Sequence, residues 1–206
     1  MKKYICLAAG LVLCTVSACT PSTPVTDNAT SSPSPTATAS VKPSDKPKDA
    51  KAIASNPIDW QDYKSSAGKF SVQMPSKPKE QSQEQGTVKL NTVTAEANDS
   101  GYFVGYADFP DKVASSADVQ KGLTNSVKSL VENIKGEVKS EKEYLLDNVQ
   151  CRDFEAIGKV QATDVSMKGR FCLADTRIYQ VFALGAKDKF FAADVDRFVT
   201  SFKIEK

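Results

Sequence analysis

The chain contains no histidine among its 206 residues. That removes the commonest general base and the commonest transition-metal ligand. Serines are plentiful, but no Ser–His pair can form, and the many possible Ser–Lys pairs carry no positional signal. No Gly-rich phosphate loop is present. No two cysteines stand at Cys-x-x-Cys spacing, which argues against a redox dithiol. Two sulfurs without histidine also make zinc a poor fit. Strong charge of either sign is missing: Lys+Arg number 27 against 25 Asp+Glu, and removal of Lys2 and Lys3 leaves 25 against 25. Such a balance provides no field that favours nucleic acid or an anionic membrane surface. No apolar run reaches the roughly 20 residues needed to span about 30 Å of hydrocarbon. The reading is therefore non-enzymatic, with no catalytic residue, metal or cofactor to nominate and no nucleic acid as partner.

What is present begins with an address. Met1-Lys2-Lys3 is a short basic start, and Tyr4 to Val16 carries no charge and is mostly apolar. This is the layout of a secretory signal, too short for a membrane span. The run ends in Val16-Ser17-Ala18-Cys19, which resembles the lipobox of bacterial lipoproteins. Small residues suit a signal peptidase, and the Cys19 thiol is the nucleophile that accepts a diacylglyceryl group. Residues 1–18 then form the signal peptide, cleaved between Ala18 and Cys19. The competing reading is ordinary cleavage after Ala18, which releases a soluble protein. Cys14 follows Val12-Leu13 and lacks the small residues. Two or three acyl chains on Cys19 hold firmly, because each buried methylene contributes roughly 0.8 kcal/mol. The expected location is the extracytoplasmic side of a bacterial envelope membrane, inner or outer.

Residues 19–57 comprise the lipidated Cys and a tether. From Thr20 to Pro57 the chain holds seven of its ten prolines and no aromatic residue. Such a stretch cannot bury enough apolar surface to offset its ordering entropy. As a flexible coil its root-mean-square reach is about 35 Å. Residues 58–206 remain, room for one domain with one core.

The domain reads as α+β, a mostly antiparallel sheet flanked by helices. Phe70-Ser71-Val72-Gln73-Met74-Pro75 alternates apolar and polar and stops at proline, as a half-buried strand does. Gly86–Ala97 and Tyr102–Phe109 are two further strands. The period then changes. Val119, Leu123, Val127, Leu130, Val131 and Ile134 recur at spacings of three and four, predicting a helix over about five turns. Ser115 or Ser116 caps its start, and Gly136 stands where a left-handed residue ends it. Strands are expected again at Val138–Leu146, Cys151–Ile157, Ser166–Leu173 and Ile178–Leu184. A last amphipathic helix carries Phe191, Val195, Phe198 and Val199, and Phe202-Lys203-Ile204 adds a short closing strand.

Cys151 and Cys172 are the two cysteines of the domain. Place them opposite each other in an antiparallel hairpin, and Asp153 faces Arg170 while Glu155 faces Lys168. The other face then pairs Phe154 with Gly169 and Ala156 with Met167, and is mainly apolar; Arg152, opposite Phe171, is its one poor fit. One register satisfies charge, burial and sulfur proximity together. A bridge is the favoured reading for an exported protein, with two free thiols the alternative. Closing this loop contributes roughly 3 kcal/mol on the chain-entropy model.

Three weaker candidates remain. Asp194 and Asp196 are two apart on a helix and point to different faces, which fits solvated charges better than an acid/base pair. Asp108 and Asp111 flank Phe109-Pro110 and could bind a cation, though a capped turn is the better reading. Phe190, Phe191, Phe198 and Phe202 could line an apolar pocket, though core packing is the better reading.

Several of these residues fall into a wider pattern. It runs Trp60-x-x-Tyr63, Gly68-Lys69-Phe70-Ser71-Val72-x-Met74-Pro75, Tyr102-x-Val104-x-Tyr106-x-Asp108-x-Pro110, Arg177-x-Tyr179 and Phe198-Val199-x-Ser201-Phe202. Over roughly residues 60–204 the chain resembles the PsbP/Mog1-like superfamily and its small bacterial lipoprotein relatives. The resemblance implies an α/β/α sandwich. It also implies a scaffold that binds other proteins, as in its photosystem and nuclear-transport members. No functional residue of that family maps onto a position here. The functional expectation is a protein-binding or complex-assembly module of the envelope, with an unknown envelope protein as partner. The alternative is a carrier of an apolar or lipid-like ligand.

Overall fold

The structure is a computed structural model and describes residues 57–86, 88–110 and 115–205. The signal peptide, the tether before Pro57, Ala18, Cys19 and Asp111 lie outside the described residues.

Among the described residues ten strands and two α-helices follow in order. They are β1 (Gln61–Ser65), β2 (Phe70–Met74), β3 (Lys79–Gln85), β4 (Val88–Ala97), β5 (Ser100–Asp108) and α1 (Ser116–Glu132), then β6 (Glu137–Leu146), β7 (Val149–Val160), β8 (Thr163–Ala174), β9 (Arg177–Ala186), α2 (Ala192–Ser201) and β10 (Lys203–Ile204). Seven strands form one sheet in the order β3-β4-β5-β9-β8-β7-β6, and β1-β2-β10 form a second. Every neighbouring pair is antiparallel. The domain is thus α+β and mostly antiparallel sheet, as its patterning predicts.

Hairpin geometry explains much of this order. Asn98 and Asp99 join β4 to β5, and Asp147 and Asn148 join β6 to β7, all four at positive φ. Two left-handed residues in a row match the right-handed twist of the strands they join. Asn and Asp tolerate that region because their short polar side chains bond locally.

The seven-stranded sheet is covered on both faces. On one, Leu123, Val127 and Val131 of α1, with Ile134 just beyond its end, pack against Phe154, Ala156, Met167, Phe171, Phe182 and Leu184. On the other, Phe70, Val72 and Met74 of β2 join Val195, Phe198 and Val199 of α2 over Tyr102, Val104, Tyr179, Val181 and Ala183. Strand β9 runs between them and is buried from Ile178 to Gly185. Its near-continuous apolar sequence has this cause, since a strand buried on both faces has no polar side to alternate with.

Helix α1 starts at Ser115, whose hydroxyl accepts from the Asp118 amide at 3.2 Å. Its end differs from the expectation. The left-handed residue is Lys135, at φ 48°, and not Gly136. The Gly136 and Lys135 amides donate to the Val131 and Glu132 carbonyls at 3.0 and 2.9 Å, the paired bonds of a Schellman end. Gly136 is small for another reason: a Cβ there would lie 2.4 Å from the Ile157 carbonyl oxygen of β7. Two strands carried no sequence signal. Strand β3, Lys-Glu-Gln-Ser-Gln-Glu-Gln, is wholly polar and sits at the sheet edge, held by seven register pairs with β4. Strand β1 has one aromatic, Tyr63, and pairs with β2.

Candidate functional site

The residues of the long motif pattern meet in one place. Phe70 is fully buried and touches Tyr63, Tyr106, Tyr179 and Phe202, with ring centroids 5.6–6.3 Å apart. Trp60 sits edge-on to Tyr102, and Tyr102 edge-on to Phe198. Gly68 precedes this cluster because a Cβ would lie 2.5 Å from the Phe70 ring. The Tyr179 hydroxyl donates to the Gly68 carbonyl at 2.8 Å. Arg177 binds Asp108 through two bonds of 2.7 Å and donates to the Ala67 carbonyl at 2.9 Å. The motif is therefore a clamp that fastens the β1–β2 turn to the end of the large sheet.

Its electrostatics follow from that packing. The bidentate Arg177 holds the Asp108 carboxyl below the usual carboxylate range. In return, Asp108 raises Arg177. Burial raises Tyr179 and pushes Tyr102 up to about 12, the latter helped by the nearby Asp194 carboxylate. Burial and a 2.7 Å bond donated to Glu80 push Tyr63 up to about 12 as well.

A second constellation surrounds the cysteines. Cys151 and Cys172 are joined by a disulfide. Strands β7 and β8 pair Cys151↔Cys172, Asp153↔Arg170, Glu155↔Lys168, Arg152↔Phe171, Phe154↔Gly169 and Ala156↔Met167, the register that charge and burial predict. Arg170 binds Asp153 through bonds of 2.6 and 3.0 Å, and its guanidinium lies 3.8 Å from the Tyr144 ring centroid. Lys168 reaches both Glu155 and Asp196 at 2.8 Å. Burial alone would lower Lys168, but these two carboxylates raise it. Arg152 is provided for by β6, whose Glu141 and Glu143 accept from it at 2.9 and 3.4 Å. The cysteine face is not an open one: both cysteines are 0% exposed and belong to the core under α2 and β2.

The remaining candidates are distributed, not brought together. Asp196 faces Lys168 while Asp194 lies near Tyr102, so the two acids serve separate neighbours. Asp108 is engaged by Arg177, and Asp111 lies outside the described residues. Phe198 and Phe202 are fully buried core, with Phe190 packed against the same cluster. A groove of about 360 Å³ runs over the outer face of the small sheet, lined largely by polar side chains including Asp62, Lys64, Gln73 and Lys203. Among the described residues no group of three or more His, Cys, Asp or Glu could hold a metal ion. No helix among them is long and apolar enough to cross a membrane.

Sequence reasoning missed Tyr144, the aromatic stacked on Arg170. Its only signal was position: opposite Cys151 on the next strand, which requires the β6–β7 register. Comparison with family models and with curated proteins found no match for this chain.

Proposed function

We propose that this chain is a lipid-anchored envelope lipoprotein whose α+β domain, a sandwich of the PsbP/Mog1-like kind, binds another protein or assists assembly of a membrane complex. The observation that carries the anchor is Val16-Ser17-Ala18-Cys19 at the end of an uncharged run with a basic start. What supports a binding role over a catalytic one is the use made of the polar side chains. Asp108 with Arg177, Asp153 with Arg170, and Lys168 with Glu155 and Asp196 each close on one another. They hold strands and layers together. A scaffold of this kind works through its surface and its placement.

The test is Cys19→Ser expressed in the native envelope. Metabolic fatty-acid labelling is expected to disappear and the protein to leave the membrane fraction. Crosslinking in intact cells is expected to recover one specific envelope protein with the anchored form and far less with Cys19→Ser. Unchanged fatty-acid labelling would refute the anchor. Recovery of no specific partner by the anchored form would refute the assembly role.

A further inference from the structure

The disulfide lies in a cross-strand row that reads Tyr144 on β6, Cys151 on β7, Cys172 on β8 and Tyr179 on β9. Toward β9 the row is closed, for Tyr179 is 2% exposed and packed by Phe70 and Phe202. Toward β6 the sheet ends, since β6 is an edge strand, and Tyr144 is 38% exposed. Of the four residues of the row, Tyr144 alone is exposed. That ring is held by the Arg170 guanidinium stacked on it, and Arg170 is itself fixed by two bonds to Asp153.

We propose that Tyr144 is a gate over the disulfide, latched by Arg170, and that the folded domain is thereby closed to thiol–disulfide exchange. Exchange needs a thiolate to approach a sulfur in line with the S–S bond. Neither sulfur is open to such an approach while the gate is shut. The order of events follows. Tyr179, Val195, Phe198, Val199 and Phe202, which complete the same core, all come after Cys172 in the chain. Oxidation therefore belongs to the stage before that segment docks. The oxidant is a dithiol–disulfide oxidase of the extracytoplasmic space, a placement that rests on the proposed export. One cysteine thiolate attacks the oxidant's disulfide and expels one of its thiolates. The second cysteine then attacks the first cysteine's sulfur in the mixed disulfide and releases the oxidant as a dithiol. Two electrons and two protons pass from the cysteine pair to the oxidant, and the pair becomes the bridge.

The gate can be tested on the full oxidised chain without reference to export. Dithiothreitol is added in native buffer and free thiols are trapped with a maleimide that shifts the band on a gel. The readout is two labels beyond those taken up by Cys6, Cys14 and Cys19. Reduction of the native protein is expected to be at least about a hundredfold slower than in concentrated guanidinium. Tyr144→Ala is expected to speed native reduction at least about tenfold, with little dependence on low urea, while the unfolding midpoint stays near wild type. Tyr144→Phe keeps the ring and stays slow. Leu145→Ala, at the neighbouring position whose side chain is turned to the opposite face, also stays slow and excludes simple fraying of the edge. The proposal is overturned if wild type reduces as fast in native buffer as when unfolded. It is also overturned if Tyr144→Ala is no faster than wild type, or if Leu145→Ala matches it. A failed Cys19→Ser experiment leaves these outcomes untouched, so the two readings fail separately.

Discussion

Arg177 and Asp108 show how one ion pair joins distant parts of the chain. Sixty-nine residues apart, they meet through two 2.7 Å bonds at the end of adjacent strands β5 and β9. Arg177 also reaches the Ala67 carbonyl in the β1–β2 turn. Arginine is needed because its planar fork serves the carboxylate and the carbonyl at once, which a lysine cannot. The depressed Asp108 carboxyl carries a pH consequence. Its folded value lies below the unfolded one, so the unfolded state binds the proton more readily. The stabilisation is present above the unfolded carboxylate value, about 3.9, and is lost as pH falls through the folded value. Wild type is therefore expected to lose urea resistance more steeply than Asp108→Asn below about pH 5, with the two curves converging at the acid end. Urea midpoints measured across that range check this, and parallel curves would exclude it.

At the scale of elements, the end of α1 offers a clean case. Lys135 occupies the left-handed position at φ 48°, where a β-carbon is disfavoured. Lys135→Gly is expected to stabilise the domain by about 0.5–1 kcal/mol, read as a raised midpoint in thermal or urea melts. Gly136→Ala is expected to act oppositely, because its Cβ would meet the Ile157 carbonyl oxygen at 2.4 Å and backbone would have to move. The two substitutions separate conformational preference from close approach at adjacent positions. Reading Gly136 as the left-handed residue was the natural inference from glycine statistics. The structure puts the strain on its neighbour because β7 passes too near Gly136 for any side chain there. The same scale explains what was legible. Strands β2, β5, β7, β8 and β9 and helix α1 carry their periods in the sequence because one or both faces are buried. Strand β3 carries none, since its side chains from Lys79 to Glu84 are exposed and its existence depends on the unpaired edge of β4.

At the scale of the molecule, the two cores share one sheet. Helix α1 covers one face, and α2 with the small sheet covers the other. Strand β9 contributes to both, which couples the two cores. Trp60, the single tryptophan, reports on the α2 face through Tyr102 and the Arg197 guanidinium 4.8 Å from its ring. Far-UV circular dichroism reports on the whole secondary structure. The two signals are expected to change together in urea as a single cooperative transition. Trp60 fluorescence changing well before the dichroism would show instead that the small sheet and α2 detach as a separate unit.

The sequence by itself determined the α+β class, most of the strands and both helices, and the hairpin register through Cys151 and Cys172. These depend on local properties: period, and charge pairing across two neighbouring strands. Tertiary structure alone decided that β9 lies at the centre of the large sheet. It also decided that the cysteine face is buried under a second layer, and that the scattered aromatics from Trp60 to Phe202 close one clamp. Those facts depend on which non-consecutive strands are neighbours. Pairings such as β5 with β9 join residues 69 to 85 apart, from Asp108↔Arg177 to Ser100↔Gly185, and no local pattern records a partner at that distance.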